Sequence, residues 1–524
     1  MQDTLIKEVK EMGYYLHHAR QNGKTIPDHL NHFTLHGFFT TLTNVNNDPI
    51  RFRSYIAKAL KYRSEAKALC GGVAAPKVPD ASVLAMRSKA PDPNASSLNE
   101  MLLYGIKGVC AYADHALMFG KEDPRIYAFL HEALAFLCSP DRDDMGKALT
   151  MCLRCGEANL WTMELLSESN GTLGKQTPGQ VKVSPIPGKC IVVSGHDLAM
   201  LDSLLAACKP KGINVYTHGE MLPAHAYPKL KAYGNLVGHY GGAWNRQAHE
   251  FAHFPGPVLM TSNCLTEPGK TYKARVFTAG PVGWPGIPHL GDTLQDIKWD
   301  SVVEAAQSFP GFTEADTKFG YQGVSGKGQP SPTKAQTVGF GHDAVLGAAG
   351  TVLDGIKAGE ISRFFVIGGC DGDAANRNYF TELAEQLPPT SVVVTMGCGK
   401  YRISDDARDR LGNVGNTGIP RVLDAGQCND AYSAIRIALG LADALKCKVS
   451  DLPLSIVLSW YEQKAIAVFL TCLHLGLRPI RIGPVLPAFV TKDVLDVLVR
   501  DFGVIATGDA KADLKQMLAA TGAS

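Results

Sequence analysis

The chain has no run of about 18 uninterrupted apolar residues, which removes a transmembrane helix from the possible readings. The nearest stretch, LSIVLSWYEQKAIAVFLTCLHLGL, is broken in its middle by Glu462, Gln463 and Lys464. The N-terminus, MQDTLIKEVKEMG, is amphipathic and acid-containing, so it does not read as a signal peptide. An excess of either charge is also missing. With 52 Lys and Arg against 50 Asp and Glu the net charge is +2, which gives no electrostatic grip on nucleic acid or an anionic membrane. Charged residues make up only 19%, below the usual quarter or so, and this favours a large buried interior.

Cysteine is present, but not in a pattern that builds a disulfide framework. Thirteen cysteines, an odd number, are spread through a long chain without an export signal. Cys70, Cys110, Cys138, Cys190, Cys208, Cys447 and Cys472 have no obvious partner and read as small buried hydrophobes. Cys152 and Cys155 form a CxxC in ALTMCLRCGEANL, a spacing that can ligate zinc or do redox chemistry. The surrounding pattern is helical and no second CxxC follows, so packing accounts for them better.

At 524 residues the chain exceeds one ordinary core, and several domains are expected. LIKEVKEMGYYLHHAR, SYIAKALKYRSEAKAL, NEMLLYGIKGVCAYADHALMFG and IYAFLHEALAFLC space apolar residues by three and four, which predicts helices. NVNNDP and SPDRDD punctuate them as turns. SNGTLGKQTPGQVKVSPIPGKC then marks a boundary, after which short apolar runs alternate with helical stretches: CIVVSGHD, INVYTHGE and PVLMTSNC. Such alternation predicts parallel sheets covered by helices. FGYQGVSGKGQPSPTKAQ joins this unit to a second one containing FFVIGG, SVVVTM, RVLDAG, LSIVLSW and RPIRIG. The expected architecture is a multidomain α/β protein: an N-terminal helical bundle (1–172) followed by two Rossmann-like parallel-sheet α/β domains (173–330 and 331–524). GFGHDAVLG (339–347) has part of a dinucleotide-fingerprint spacing but follows a linker, and reads as a helix start.

The ends of the expected strands carry the chemistry. FFVIGGCDG, SVVVTMGCGKYR, RVLDAGQCNDA and GPVLMTSNCL place Cys370, Cys398, Cys428 and Cys264 just beyond strands. An open α/β sheet binds ligands outside the carboxyl ends of its strands, so these thiols converge on one crevice. Four thiols exceed what one nucleophile needs and point to a metal–sulfur centre. His196 follows one strand in IVVSGHD, Glu220 follows the next in NVYTHGEMLP after His218, and Glu462 ends a later one in LSIVLSWYEQKA. A lone His or Glu at a strand end is commonly a cap; seven ligand-type residues at strand ends are harder to explain separately. Imidazole, carboxylate and thiolate together suit iron. A structural zinc site would use only four of them.

SGHDL, VYTHGEMLPAHAYPKL, VGHYGGAW, FPGPVLMTSNC, GGCDG, CGKYR, DAGQCNDAYSA and LPLSIVLSWYEQKA, with FFTTLTNVN in the helical region, closely resemble the hybrid cluster protein (hydroxylamine reductase, prismane) family along essentially the whole chain. The resemblance implies an iron–sulfur–oxygen hybrid cluster of the 4Fe-2S-2O type, with ligands His196, Glu220, Cys264, Cys370, Cys398, Cys428 and Glu462. It also implies a possible persulfide on Cys370, for which Gly368, Gly369 and Gly372 leave close backbone approach and room. Reduction of hydroxylamine to ammonia and water is the expected activity, with nitric oxide reduction beside it. A nitrosative-stress protein that S-nitrosylates partners is the alternative. Substrate is expected near Glu220 and Cys370, with Glu220, His218 or Lys464 supplying protons. A redox electron-donor protein is the expected partner, and the chain is expected as a monomer or homodimer, in the cytoplasm or an organelle matrix. Carbon monoxide dehydrogenases are a more distant likeness. Family members open with four closely spaced cysteines holding a second cluster; here the first cysteine is Cys70, so an N-terminal iron–sulfur cluster is not expected. The segment 313–336 is longer than in typical members and reads as a surface insertion.

Overall fold

The computed structural model describes residues 1–76, 91–319, 335–369, 378–403, 405–459 and 462–519. Its N-terminal region is helical: α1 (Gln2–Gln21), α2 (Asp28–Phe39), α3 (Pro49–Cys70), α4 (Pro93–Met118), α5 (Pro124–Leu137) and α6 (Met145–Asn170). Three of these helices begin at Asp-Pro. Asp48, Asp92 and Asp123 each accept a hydrogen bond from the backbone N–H two residues on, and the proline occupies the first helical turn, where its missing N–H costs nothing. Asp144 caps α6 in the same way through Lys147 N–H. The turn punctuation read from NVNNDP and SPDRDD is thus also helix initiation.

Two parallel sheets follow. The first contains β2 (Cys190–Ser194), β3 (Asn214–His218), β4 (Leu236–His239), β5 (Val258–Met260) and β6 (Val276–Thr278), in the order β4-β3-β2-β5-β6. The second contains β8 (Arg363–Gly369), β9 (Ser391–Thr395), β10 (Val422–Asp424), β11 (Leu454–Ser459), β12 (Ile480–Gly483) and β13 (Val504–Ala506), in the order β10-β9-β8-β11-β12-β13. Every pairing within these sheets is parallel. Counted from its own first strand, each sheet runs 3-2-1-4-5, the doubly wound order, and the second adds a sixth strand at the end. The order reverses between β2 and β5 in one sheet and between β8 and β11 in the other, and these are the positions where such sheets open a binding crevice. The central strands are buried on both faces, as Cys190–Ser194 and Ser391–Thr395 are throughout.

Both segments read as linkers also contribute strands. β1 (Gly179–Lys182) pairs antiparallel with β7 (Ala335–Val338), a two-stranded ribbon joining the two boundary regions. GFGHDAVLG therefore does follow a strand, and its helix, His342–Gly347, begins as expected. That strand lies outside the parallel sheets, so no βαβ dinucleotide fold is formed.

The helical region is not a separate body. α4 and α6 pack on the helix Gln463–His474 that follows β11, within one apolar core shared by Leu102, Ile106, Cys155, Ile466 and Leu470. Cys152 and Cys155 lie fully buried in that core, and burial pushes both thiols well above the ordinary cysteine range. Cys152 Sγ donates to Leu98 O, and both side chains pack in the core as small apolar groups. Among the described residues, no helix is long and apolar enough to cross a membrane.

Candidate metal centre

The turns that follow the carboxyl ends of the two sheets meet, with Cys428 N–H on Glu220 and Tyr401 on Gly219 O, and Tyr112 of α4 reaches the same crevice. β2 ends at Ser194, and Gly195 turns the chain to deliver His196. β3 ends at His218, and a 3-10 turn (Gly219–Ala226) carries Glu220. β5 ends at Met260, and Cys264 follows with a left-handed φ of 81°. A non-glycine residue in that region costs on the order of 1–3 kcal/mol and persists only where the surroundings hold it. Here the Gln247 side-chain amide grips the Cys264 carbonyl.

From the second sheet, Cys398 enters on the turn Gly397–Arg402 after β9, and Cys428 opens the turn Cys428–Asp430 after β10. Gly397 N–H donates to Gly426 O at 3.0 Å and ties these two turns together. Glu462 is the N-cap of the helix Gln463–His474 after β11. Its neighbour Gln463 exchanges two hydrogen bonds with Thr43 of the FFTTLTNVN segment, at 3.1 and 3.0 Å. Cys370 and Gly372 lie outside the described residues; β8 ends at Gly369, immediately before the thiol. Gly369 has φ 110°, and a Cβ there would sit 1.7 Å from Ser459 O. Only glycine fits that approach of β8 to β11.

The structure brings three of the expected residues to one point. Ligand atoms of His196, Glu220 and Cys428 lie within 4.8 Å of one another, with His196 and Glu220 buried. Glu220 Oε2 accepts Cys428 N–H at 2.8 Å and stands 3.8 Å from His196 Nε2. His196 Nδ1 is held by Ser262 Oγ at 2.9 Å, while its Nε2 and Glu220 Oε1 are buried without a hydrogen-bond partner. Burial, with Lys464 and His115 nearby, holds the His196 imidazole well below its ordinary pKa and therefore neutral. Leaving a buried polar atom unmatched costs about 1–3 kcal/mol. Two such atoms on side chains that approach each other, one an imidazole nitrogen and one a carboxylate oxygen, beside a thiol, match the donor set of a metal centre.

Lys464 is fully buried, with Nζ on Asn429 Oδ1 at 3.2 Å. Burial opposes its charge, but Cys428, Glu462, Cys264 and Glu220 around it outweigh burial and hold it above the ordinary lysine range. His218 points elsewhere. Its Nδ1 lies on Ser194 Oγ and its Nε2 on Glu250 Oε2, both at 2.9 Å.

Several residues at the crevice had no place in the sequence reading. Asp197 caps the next helix through Met200 N–H and holds His115 Nδ1 at 3.3 Å, leaving the buried His115 Nε2 without a partner, with its ring centroid 6.4 Å from that of His196. Tyr112, one turn earlier on α4, donates to Cys428 O at 3.2 Å. Ser262, Asp197 and Asn429 lie within two residues of flagged positions, so their proximity was readable. Tyr112 and His115 carried only an i, i+3 spacing on a buried helix.

With this geometry in place, comparison with known proteins is decisive. A family model described as the Prismane/CO dehydrogenase family matches residues 1–515. The chain belongs to that family. This prismane-family chain is 49% identical to a hydroxylamine reductase of Burkholderia lata over 99% of its own length and 93% of the relative's. It is 45% identical to a hydroxylamine reductase of Maridesulfovibrio salexigens, over 99% and 94% of the two chains. Among solved structures, a nickel-free carbon monoxide dehydrogenase from Thermococcus sp. AM4 superposes with a TM-score of 0.61 at 19% identity, covering 99% of this chain and 85% of that one. Carbon monoxide dehydrogenase IV from Carboxydothermus hydrogenoformans gives 0.59 at 17%, covering 99% and 86%. At these identities the likeness is one of fold. Membership of the prismane family implies iron–sulfur cluster binding, and the donor set at the crevice fits it.

Proposed function

We propose that the chain is a hydroxylamine reductase whose iron–sulfur–oxygen hybrid cluster is held at the crevice by His196, Glu220, Cys264, Cys370, Cys398, Cys428 and Glu462, with Cys370 as the candidate persulfide carrier. The observation that carries this reading is the pair of buried, unmatched atoms His196 Nε2 and Glu220 Oε1 beside Cys428. The names of the close relatives supply the substrate. A cluster held by these residues would supply the electrons for cleavage of the N–O bond. The balance is NH2OH + 2e− + 2H+ → NH3 + H2O, with electrons from a redox donor protein or a reduced dye.

The chain's own part is positioning and proton supply. Ser262 fixes the His196 ring so that Nε2 faces inward, the kind of orienting contact that metal-site histidines use. Cys428 N–H holds one oxygen of Glu220 and leaves the other to face the centre. Lys464 Nζ, held by Asn429, is the proton-bearing atom; His115 directs its Nδ1–H to Asp197 and leaves Nε2 as an unmatched ring nitrogen beside His196. His218, committed to Ser194 and Glu250, acts behind β3 as a support. Burial of His196, Glu220, Cys398, Glu462 and Lys464, with Cys264 and Cys428 half-buried, limits the access of bulk water to the reacting bond.

The test is anaerobic turnover. Iron-loaded wild type oxidises a reduced dye in step with hydroxylamine and releases one ammonia per two electrons. Glu220→Gln with iron retained loses that turnover. Wild-type turnover in Glu220→Gln removes Glu220 from the reaction, and iron-loaded wild type without ammonia release refutes the function.

A further inference from the structure

Glu220 hangs on a turn entered through Gly219, whose φ of 59° is left-handed. That carbonyl is met from the opposite sheet. Tyr401, three residues after Cys398, donates its hydroxyl to Gly219 O at 2.8 Å. The same phenol oxygen lies 3.2 Å from His239 Nε2, and the two rings stack nearly parallel at 12°.

The direction of these bonds follows from what each atom can do. A carbonyl only accepts, so the single Tyr401 hydrogen lies on the Gly219 contact and the phenol oxygen accepts from His239 Nε2–H. Burial holds His239 well below its ordinary pKa, so the ring is neutral and Nδ1 carries the lone pair. Thr217 Oγ1 stands 2.8 Å from that Nδ1, and His225 Nε2 lies 3.0 Å from the same hydroxyl. The linkage therefore leaves the first sheet through Thr217 of β3 and His239 of β4, passes through Tyr401 of the second sheet, and returns to Gly219.

Both ends of the Glu220 residue are thereby held by donors from the second sheet: the preceding carbonyl by Tyr401, and Oε2 by Cys428 N–H at 2.8 Å. We propose that Tyr401 is a positioning residue for Glu220, its hydroxyl oriented by His239 so that it fixes the Gly219–Glu220 peptide across the crevice. This deepens the reading of Glu220 as a ligand and rests on it.

Tyr401→Phe keeps the ring over His239 and deletes only the hydroxyl. The first readout needs no metal: amide exchange at Cys428 in the iron-free chain, whose N–H is retained by Glu220. The expected result is exchange about tenfold faster than wild type, the scale of one lost hydrogen bond. In the iron-loaded chain the electron paramagnetic resonance signal and midpoint potential shift while iron per chain stays at the wild-type level. Thr217→Val, which cuts the linkage two links away, gives a smaller change in the same direction. Wild-type Cys428 exchange together with a wild-type resonance signal in Tyr401→Phe overturns the proposal. If Tyr401→Phe does not fold, Thr217→Val decides alone: faster Cys428 exchange supports the role, and wild-type exchange refutes it. A wild-type chain that takes up no iron sinks the ligand reading, and the exchange result still judges Tyr401 separately.

Discussion

Lys400 offers a quantitative test of how the crevice is held. Its side chain is fully buried, and Nζ sits 2.7 Å from both oxygens of Asp424 and 3.0 Å from Gly426 O. The pair ties the turn bearing Cys398 to the strand end that leads to Cys428. Asp424 Oδ1 also accepts Gly426 N–H at 3.0 Å. In Lys400→Met the carboxylate keeps that N–H and the more distant charge of Arg408, and breaking one side of a buried pair costs about 3–5 kcal/mol. An unfolding entropy of roughly 2.1 cal/mol/K per residue gives about 1.1 kcal/mol/K for a chain of 524 residues. The melting temperature should then fall by about 3–5 °C for a chain that melts as one unit. Lys400→Met/Asp424→Leu removes the stranded charge as well; Gly426 O keeps Gly397 N–H, and the Gly426 N–H that loses Asp424 costs about 1–3 kcal/mol. Calorimetry of the three proteins at one pH reads the order: wild type highest, double variant between, Lys400→Met lowest. A single variant melting with wild type, or a double variant below the single, would show that the pair does not hold these turns.

Asp292 joins the helical region to the first sheet through Arg51, Tyr55 and His289. Burial alone would raise its pKa, but His289, His36 and Arg51 outweigh burial and hold it well below the ordinary carboxylate range. A depressed folded pKa stabilises above the unfolded value of about 3.9 and is lost as pH falls through the folded one. The stability gap between wild type and Asp292→Asn in urea melts should therefore be present above about pH 4 and shrink as pH falls below it; a gap that grows below about pH 4 contradicts the assignment. Cys152→Ala should leave iron content and turnover at wild-type levels and lower stability by about 1–2 kcal/mol, whereas loss of iron would make the CxxC a metal site. Gly369→Ala cannot be accommodated against Ser459 O, and folded protein should not accumulate; a soluble, iron-loaded variant would show that β8 can shift there.

Strand ends proved the most readable part of the chain. FFVIGG, SVVVTM, RVLDAG, LSIVLS, RPIRIG, CIVVSG, INVYTH and PVLM all carry parallel strands, because continuous apolar runs suit positions buried on both faces. β4 and β6 are short, and VFT and LVGH offer too few apolar residues to register alone. β1 and β7 were hidden in Gly- and Pro-rich text, since an antiparallel ribbon at a boundary needs little hydrophobic signal. α2, with His, Thr and Phe in place of strong helix formers, is set by packing rather than propensity. At the site, placing His196, Glu220 and Cys428 after strands was enough to bring them together. The contribution of α4 was not legible, because Tyr112 and His115 reach the crevice only through the packing of α4 on the helix Gln463–His474.

The central claim is a metal centre at the carboxyl ends of the two sheets. Iron-edge anomalous scattering from crystals of the anaerobically purified protein tests it most directly. Iron density is expected within bonding distance of His196 Nε2, Glu220 Oε1 and Cys428 Sγ, about 2.0–2.3 Å by analogy with other imidazole, carboxylate and thiolate metal bonds. Iron density anywhere else, or none at the crevice in protein that turns over hydroxylamine, would contradict it.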